Sequence, residues 1–252
     1  MSASAPDNPL GIDGFEFVEF AAPEPLELDR VFRALGFLPV ARHRSKDVTL
    51  YRQGGINFIL NAEPESFAQA FARVHGASVC AVAMRVHDAR AAANRVKSLG
   101  GEVLPGSARP GELNIPAIRG IGGSLIYLVD RYETPESRVN LYDVDFVPIR
   151  GAEPHPHGRG LVAIDHLALA VHPGRLAIWG DFWERLFGFR QDADGEFASP
   201  CGHIRLRIEE AADAGACHGE IIRRVALAAP DIAAIAQRTT AIGPLVVEIV
   251  QA

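Results

Sequence analysis

Phe15-Glu-Phe-Val-Glu-Phe20, followed by Pro25-Leu-Glu-Leu-Asp-Arg-Val-Phe-Arg-Ala-Leu-Gly36, decides the fold of this chain. The first run alternates in the manner of a half-buried strand. The second predicts a helix over residues 25–35, with Leu26, Leu28, Val31, Phe32 and Leu35 on its apolar side and Gly36 as its stop. Strand-like runs follow at 37–42, 48–52 and 56–61, and Gly54-Gly55 suits the turn between the last two. One strand, one helix and three strands make a unit, and the search for its recurrence comes first.

The unit returns at 78–86, where an apolar strand leads into a helix over 88–99 closed by Gly100-Gly101. Strands are expected at 102–104, 113–118 and 124–129. Gly120-Ile-Gly-Gly123 has the composition of a phosphate loop, but it precedes a strand instead of opening a helix and is a plain turn. A third unit begins with Leu161-Val-Ala-Ile-Asp-His-Leu-Ala-Leu-Ala-Val171. Its helix, 175–186, sets Leu176, Trp179, Phe182, Trp183, Leu186 and Phe187 along one face, a stripe that reads as core packing. Strands near 197 and at 203–208 complete it. A fourth unit offers a strand at 220–228, a helix at 231–242 and a strand at 245–250, so a pair of middle strands is missing.

Between the second and third units, Gly151-Ala-Glu-Pro-His-Pro-His-Gly-Arg-Gly160 has the Pro and Gly density of a boundary. Three segments result: a domain at 10–148, a linker at 149–160 and a shortened domain at 161–252. His155 and His157 read as solvated linker residues, since no third donor lies near them.

The 252 residues, 48% hydrophobic and 22% charged, suit a globular protein with real cores. No apolar run approaches the length of a bilayer-spanning helix, and no membrane partner is expected. The N-terminal residues lack the basic and apolar regions of a signal peptide. A net charge of −6 with no basic stripe argues against nucleic acid. Cys80, Cys201 and Cys217 form no CxxC pair, and Cys80 sits in an apolar run as an inert thiol. A cytoplasmic location fits these cysteines.

Several stretches closely resemble bacterial 4-hydroxyphenylpyruvate dioxygenases of the vicinal oxygen chelate, or glyoxalase-fold, class. In the first two units they are Arg42-His-Arg-Ser-Lys-Asp-Val-Thr-Leu-Tyr-Arg52, Gly55-Ile-Asn-Phe-Ile59, Glu112-Leu-Asn-Ile-Pro-Ala-Ile118, Gly120-Ile-Gly-Gly-Ser-Leu-Ile-Tyr-Leu-Val-Asp130 and Tyr142-Asp-Val-Asp-Phe146. Ile164-Asp-His-Leu167, residues 179–190 and Ser199-Pro-Cys-Gly202 resemble the start of the family's catalytic domain. The resemblance implies an α+β fold of paired βαβββ modules in two domains, with the last module eroded. It also implies iron(II) or another divalent metal, an aromatic 2-oxo acid substrate oxidised to homogentisate, and a homo-oligomer.

In the family two histidines and one glutamate hold the iron, leaving open positions for a bidentate 2-oxo acid and dioxygen. By that resemblance His166 matches the first histidine and Glu248 the glutamate. Arg224, in Arg223-Arg-Val-Ala-Leu-Ala-Ala-Pro-Asp-Ile232, takes the place of the second histidine, and Glu209 that of a family asparagine. A guanidinium stays protonated and offers no lone pair, so it cannot replace imidazole on a metal. The hairpin between Phe189 and Ser199 is shortened, and the family's closing C-terminal helix has no counterpart before Ala252. Three readings stand: a family member that keeps a metal on His166 and Glu248, a metal-free small-molecule-binding or regulatory descendant, and a metal-free lyase or isomerase. The expected pairing is Arg224 with Glu248, and with Glu209 beside it. Asp165 is either an outward carboxylate or a partner that orients His166. His203 and His218 are substitute donors that match no ligand position.

Overall fold

The computed structural model describes residues 7–106, 108, 110–134, 139–193, 195–212, 219–235 and 238–252. The first unit is β1 (Phe15–Ala21), α1 (Pro25–Ala34), β2 (Leu38–His43), β3 (Val48–Gln53) and β4 (Ile56–Asn61). A helix that the sequence reading passed over, α2 (Phe67–His75), leads to the second unit. This comprises β5 (Ser78–Arg85), α3 (Ala89–Ser98), β6 (Val103–Leu104), β7 (Ala117–Arg119) and β8 (Leu125–Val129). The short α4 (Leu141–Asp145) and β9 (Phe146–Pro148) close this half. The third unit is β10 (Ala163–Val171), α5 (Leu176–Phe187), β11 (Arg190–Gln191), β12 (Phe197–Ala198) and β13 (Arg205–Glu210). The fourth is β14 (Ile221–Ala229), β15 (Thr239–Ile242) and β16 (Leu245–Gln251). No helix among the described residues is long and apolar enough to cross a membrane.

Two mixed sheets form, in the orders β6-β7-β8-β5-β1-β4-β3-β2-β9 and β11-β12-β13-β10-β14-β16-β15. Each has an antiparallel central pair, β1 with β5 and β10 with β14, flanked by parallel partners: β4 and β8 in one, β13 and β16 in the other. This is the paired-module α+β fold. Its helices start where sequence allows: Pro25 occupies the first turn of α1, while the Ser66 and Asp88 side chains accept backbone N–H groups of α2 and α3. Ser66 before a periodic run ending at Gly76 was the available signal for α2.

The last unit departs from expectation. A helix over 231–242 does not form; a single 3-10 turn at Ile232–Ala234 leads into β15. Thr239, Thr240 and Ile242 are β-branched, and Gly243-Pro244 turns the chain into β16, giving an antiparallel hairpin from Thr239↔Glu248 to Ile242↔Leu245. The eroded unit has therefore lost one strand and its helix, where two missing strands were expected.

The change of sheet falls at 149–160, and the apolar core continues across it. Val18, Phe20, Phe58 and Met84 of the first sheet share one cluster with Leu167, Leu169, Val225, Leu227 and Val247 of the second. The connecting segment is anchored: Gly54 N donates to Pro156 O at 2.8 Å, and the Gln53 carboxamide oxygen accepts from Arg159 N. Gly122 marks another close approach of the halves. Its φ is +59°, and a Cβ there would overlap the Glu220 carbonyl oxygen. Gly122→Ala is expected to lower stability by roughly 2–4 kcal/mol, combining left-handed strain with overpacking. A shifted denaturation midpoint at unchanged slope would register this.

Candidate functional site

Alternation along the strands divides each one between two faces. In the second sheet Leu167, Leu169, Val225, Val247 and Ile249 point into the shared core. His166, Ala168 and Ala170 of β10, Arg224 and Ala226 of β14, and Glu248 of β16 take the opposite, concave face. Register lines them into two rows, His166↔Ala226↔Glu248 and Ala168↔Arg224↔Val246. Glu209 of β13 pairs with Ala170 at the side. The four residues singled out from sequence, His166, Arg224, Glu248 and Glu209, thus come together on four adjacent strands.

His166 is buried at 1% exposure, and its Nδ1 lies 2.7 Å from Asp165 Oδ2. Arg205 Nη2 donates to the other Asp165 oxygen at 2.5 Å. A carboxylate at Nδ1 favours the proton on that nitrogen and leaves Nε2 with its lone pair facing the site. Among the described residues Nε2 has no hydrogen-bond partner, and it lies 3.8 Å from Glu248 Oε1. Arg224 Nε, also buried without a hydrogen bond, is 3.7 Å from the same Glu248 oxygen, and Arg224 Nη1 is 3.7 Å from Glu209 Oε1. These separations exceed hydrogen-bond range, and those of Arg224 are ion contacts. The Glu248 and Arg224 side chains keep 24% and 30% of their exposure, so the pair is only partly removed from water.

The donor set does not fit a facial two-histidine, one-carboxylate metal site. His166 Nε2 and Glu248 can donate, but the third strand position carries a guanidinium, which has no accessible lone pair. Among the described residues no group of three His, Cys, Asp or Glu side chains gathers in metal-holding geometry. His203 stands elsewhere, exposed and 3.4 Å from Asp13 Oδ1. His155 and His157 are exposed, and His218 and Cys217 lie outside the described residues. What the face does offer is a nitrogen base braced by Asp165, a cation that can meet an anionic ligand, and small alanine side chains beside them.

Arg205 escaped the sequence reading, although the signal was present. In Arg205-Leu-Arg-Ile-Glu-Glu210 the charged residues alternate with buried Leu206 and Ile208, which sends Arg205, Arg207 and Glu209 to the site face. Arg207 is held in turn by Glu196.

Residues 6–147 match the family model described as the hydroxyphenylpyruvate dioxygenase N-terminal domain. The chain is 44% identical over 247 residues to a 4-hydroxyphenylpyruvate dioxygenase of Pseudomonas sp. (strain P.J. 874), covering 90% of this chain and 68% of that protein. It is 41% identical to the 4-hydroxyphenylpyruvate dioxygenase of Pseudomonas aeruginosa, covering 92% of this chain and 70% of that one. Among solved structures it resembles a xylose isomerase-like TIM barrel/4-hydroxyphenylpyruvate dioxygenase fusion protein. There the TM-score is 0.76 at 37% identity, over 91% of this chain and 38% of that one. With this fold, this repeated sheet and these relatives, the chain belongs to the 4-hydroxyphenylpyruvate dioxygenase family.

Proposed function

We propose that the second sheet takes an aromatic 2-oxo acid on Arg224 without iron, and that dioxygenase activity is impaired or lost. The observation that carries this reading is the position of the guanidinium: its Nε contacts the Glu248 oxygen that His166 Nε2 also faces. A fixed positive charge there opposes a metal cation between those two donors. The same charge suits a ligand carboxylate, because the guanidinium now meets Glu248 and Glu209 only at 3.7 Å. A ligand carboxylate in bidentate contact would supply shorter, charge-assisted hydrogen bonds. The test is incubation with 4-hydroxyphenylpyruvate, iron(II) and ascorbate. No homogentisate and far less than one bound iron per chain are expected, while calorimetry records 2-oxo acid binding that Arg224→Ala weakens. Stoichiometric iron with steady homogentisate production would overturn the reading.

A second reading, metal-free lyase or isomerase chemistry, is favoured by the Asp165–His166 contact, which presents Nε2 as a general base. Its readout is exchange of the C3 protons of a bound 2-oxo acid with deuterated water. Exchange above the uncatalysed rate that disappears in His166→Gln supports it. Exchange at the uncatalysed rate removes it.

A further inference from the structure

The first sheet repeats the plan of the second, and a cavity lies against its face turned away from the shared core. The row equivalent to His166↔Ala226↔Glu248 is Phe17↔Ala83↔Tyr127, with the two aromatic rings 5.9 Å apart. The cavity beside them measures about 160 Å³ and is walled by Phe17, Val48, Ile59 and Phe146. That volume accommodates one benzenoid ring, since an apolar cavity of about 150 Å³ takes up benzene.

Two polar groups border this space without full partners. Glu19 is only 7% exposed, and Asn61 Nδ2 donates to its Oε1 at 2.7 Å. Its other carboxyl oxygen has no hydrogen bond among the described residues. Burial pushes the Glu19 carboxyl toward its neutral form, against the opposing pull of Asn61 and Lys46. The Tyr127 hydroxyl likewise forms no hydrogen bond among the described residues, and burial with the nearby Glu19 holds it protonated. Lys46, which lines the cavity, is engaged, since its Nζ donates to Glu112 Oε2 at 2.8 Å. Asp145 accepts from Leu113 N at 3.0 Å. Among the described residues a carboxylate ligand would meet the acidic Glu19, Glu112 and Asp145 with Lys46 already engaged, while a bound ammonium would lose its hydration against Phe17, Val48, Ile59 and Phe146.

We infer that this cavity is a second small-molecule site, separate from the face around Arg224, and that it takes an uncharged single-ring phenol. A phenolic hydroxyl both donates and accepts, as the open ends of Glu19 and Tyr127 require. The ring fills the apolar space against Phe17 and Ile59.

Fluorine NMR titration of the full chain with 4-fluorophenol at neutral pH tests this. Saturable binding is expected, weakened about tenfold by Glu19→Leu through loss of one buried hydrogen bond. Arg224→Ala should leave it unchanged, and fluorobenzene, which lacks the hydroxyl, should bind at least about tenfold more weakly. If Glu19→Leu does not fold, Tyr127→Phe carries the same expectation. Absence of saturable binding, equal binding of fluorobenzene, equal binding of benzylammonium, or loss in Arg224→Ala alone would each overturn the inference. None of these outcomes depends on the iron or 2-oxo acid chemistry proposed above.

Discussion

Arg224→His is expected to raise the affinity of the second sheet for a divalent cation by at least about a hundredfold. The substitution removes a fixed positive charge and supplies an imidazole on β14, between the strands of His166 and Glu248. His166 is already braced through Nδ1 by Asp165, so its free Nε2 needs no reorientation. Loss of such a bracing partner alone changes metal affinity by about 10–100-fold, and a whole ligand counts for more. Cobalt(II) titration followed by absorbance reads the change, and Glu248→Gln in the same background should abolish the gain. An unchanged affinity in a folded Arg224→His protein would mean that the guanidinium is not what keeps metal out. The fold itself should tolerate the change: the Arg224–Glu248 contact is partly exposed, so removing it costs about 1–2 kcal/mol, less than the roughly 3–5 kcal/mol of a fully buried pair.

Phe58→Ala should be the more damaging to stability, by roughly 3–5 kcal/mol. Phe58 is completely buried and stacks on Phe37 with ring centres 4.2 Å apart and planes 10° from parallel. It also meets Phe20 at 4.7 Å and Phe32 at 5.2 Å, so its truncation strips three rings of a neighbour. Thermal unfolding should fall by about 10 °C, given roughly 2–4 °C per kcal/mol for a domain of this size. Phe58→Leu, which keeps most of the volume, should lose less than half as much. A drop of only a degree or two in Phe58→Ala would place the centre of the core elsewhere.

The strength of each sequence signal follows the physics of each element. β1, β5, β10 and β14 are central strands with long apolar or alternating patterns, and they were readable to within a residue or two. β6, β11 and β12 are two-residue strands whose pairing depends on neighbours distant in sequence. Residues 231–242 misled because an alanine-rich run satisfies helical periodicity, while β16 offers an unpaired edge that Thr239–Ile242 completes. That choice is made in the tertiary structure and not locally. At the site, His166, Arg224, Glu248 and Glu209 could be marked through family likeness. Their spacing of 3.7–3.8 Å could not, because it depends on the register of four strands. Glu19 illustrates the opposite case. It shares a strand face with Phe17 in plain view, yet nothing local tells a solvated strand carboxylate from one buried beside Asn61.

Stability and chemistry occupy opposite faces of the same strands in this molecule. The backbone ladders and the side chains turned toward the shared core hold the sheets, while on the other face of the second sheet the row His166↔Ala226↔Glu248, with alanine at its centre, lies outside that apolar cluster. Such a face can drift. One half of the chain presents an aromatic pair where the other presents a base and a carboxylate, with Arg224 seated between the strands that carry them. The architecture is therefore mutationally robust where its reactivity resides: a lineage can exchange one activity for another, or for simple ligand binding, through substitutions that leave folding almost untouched.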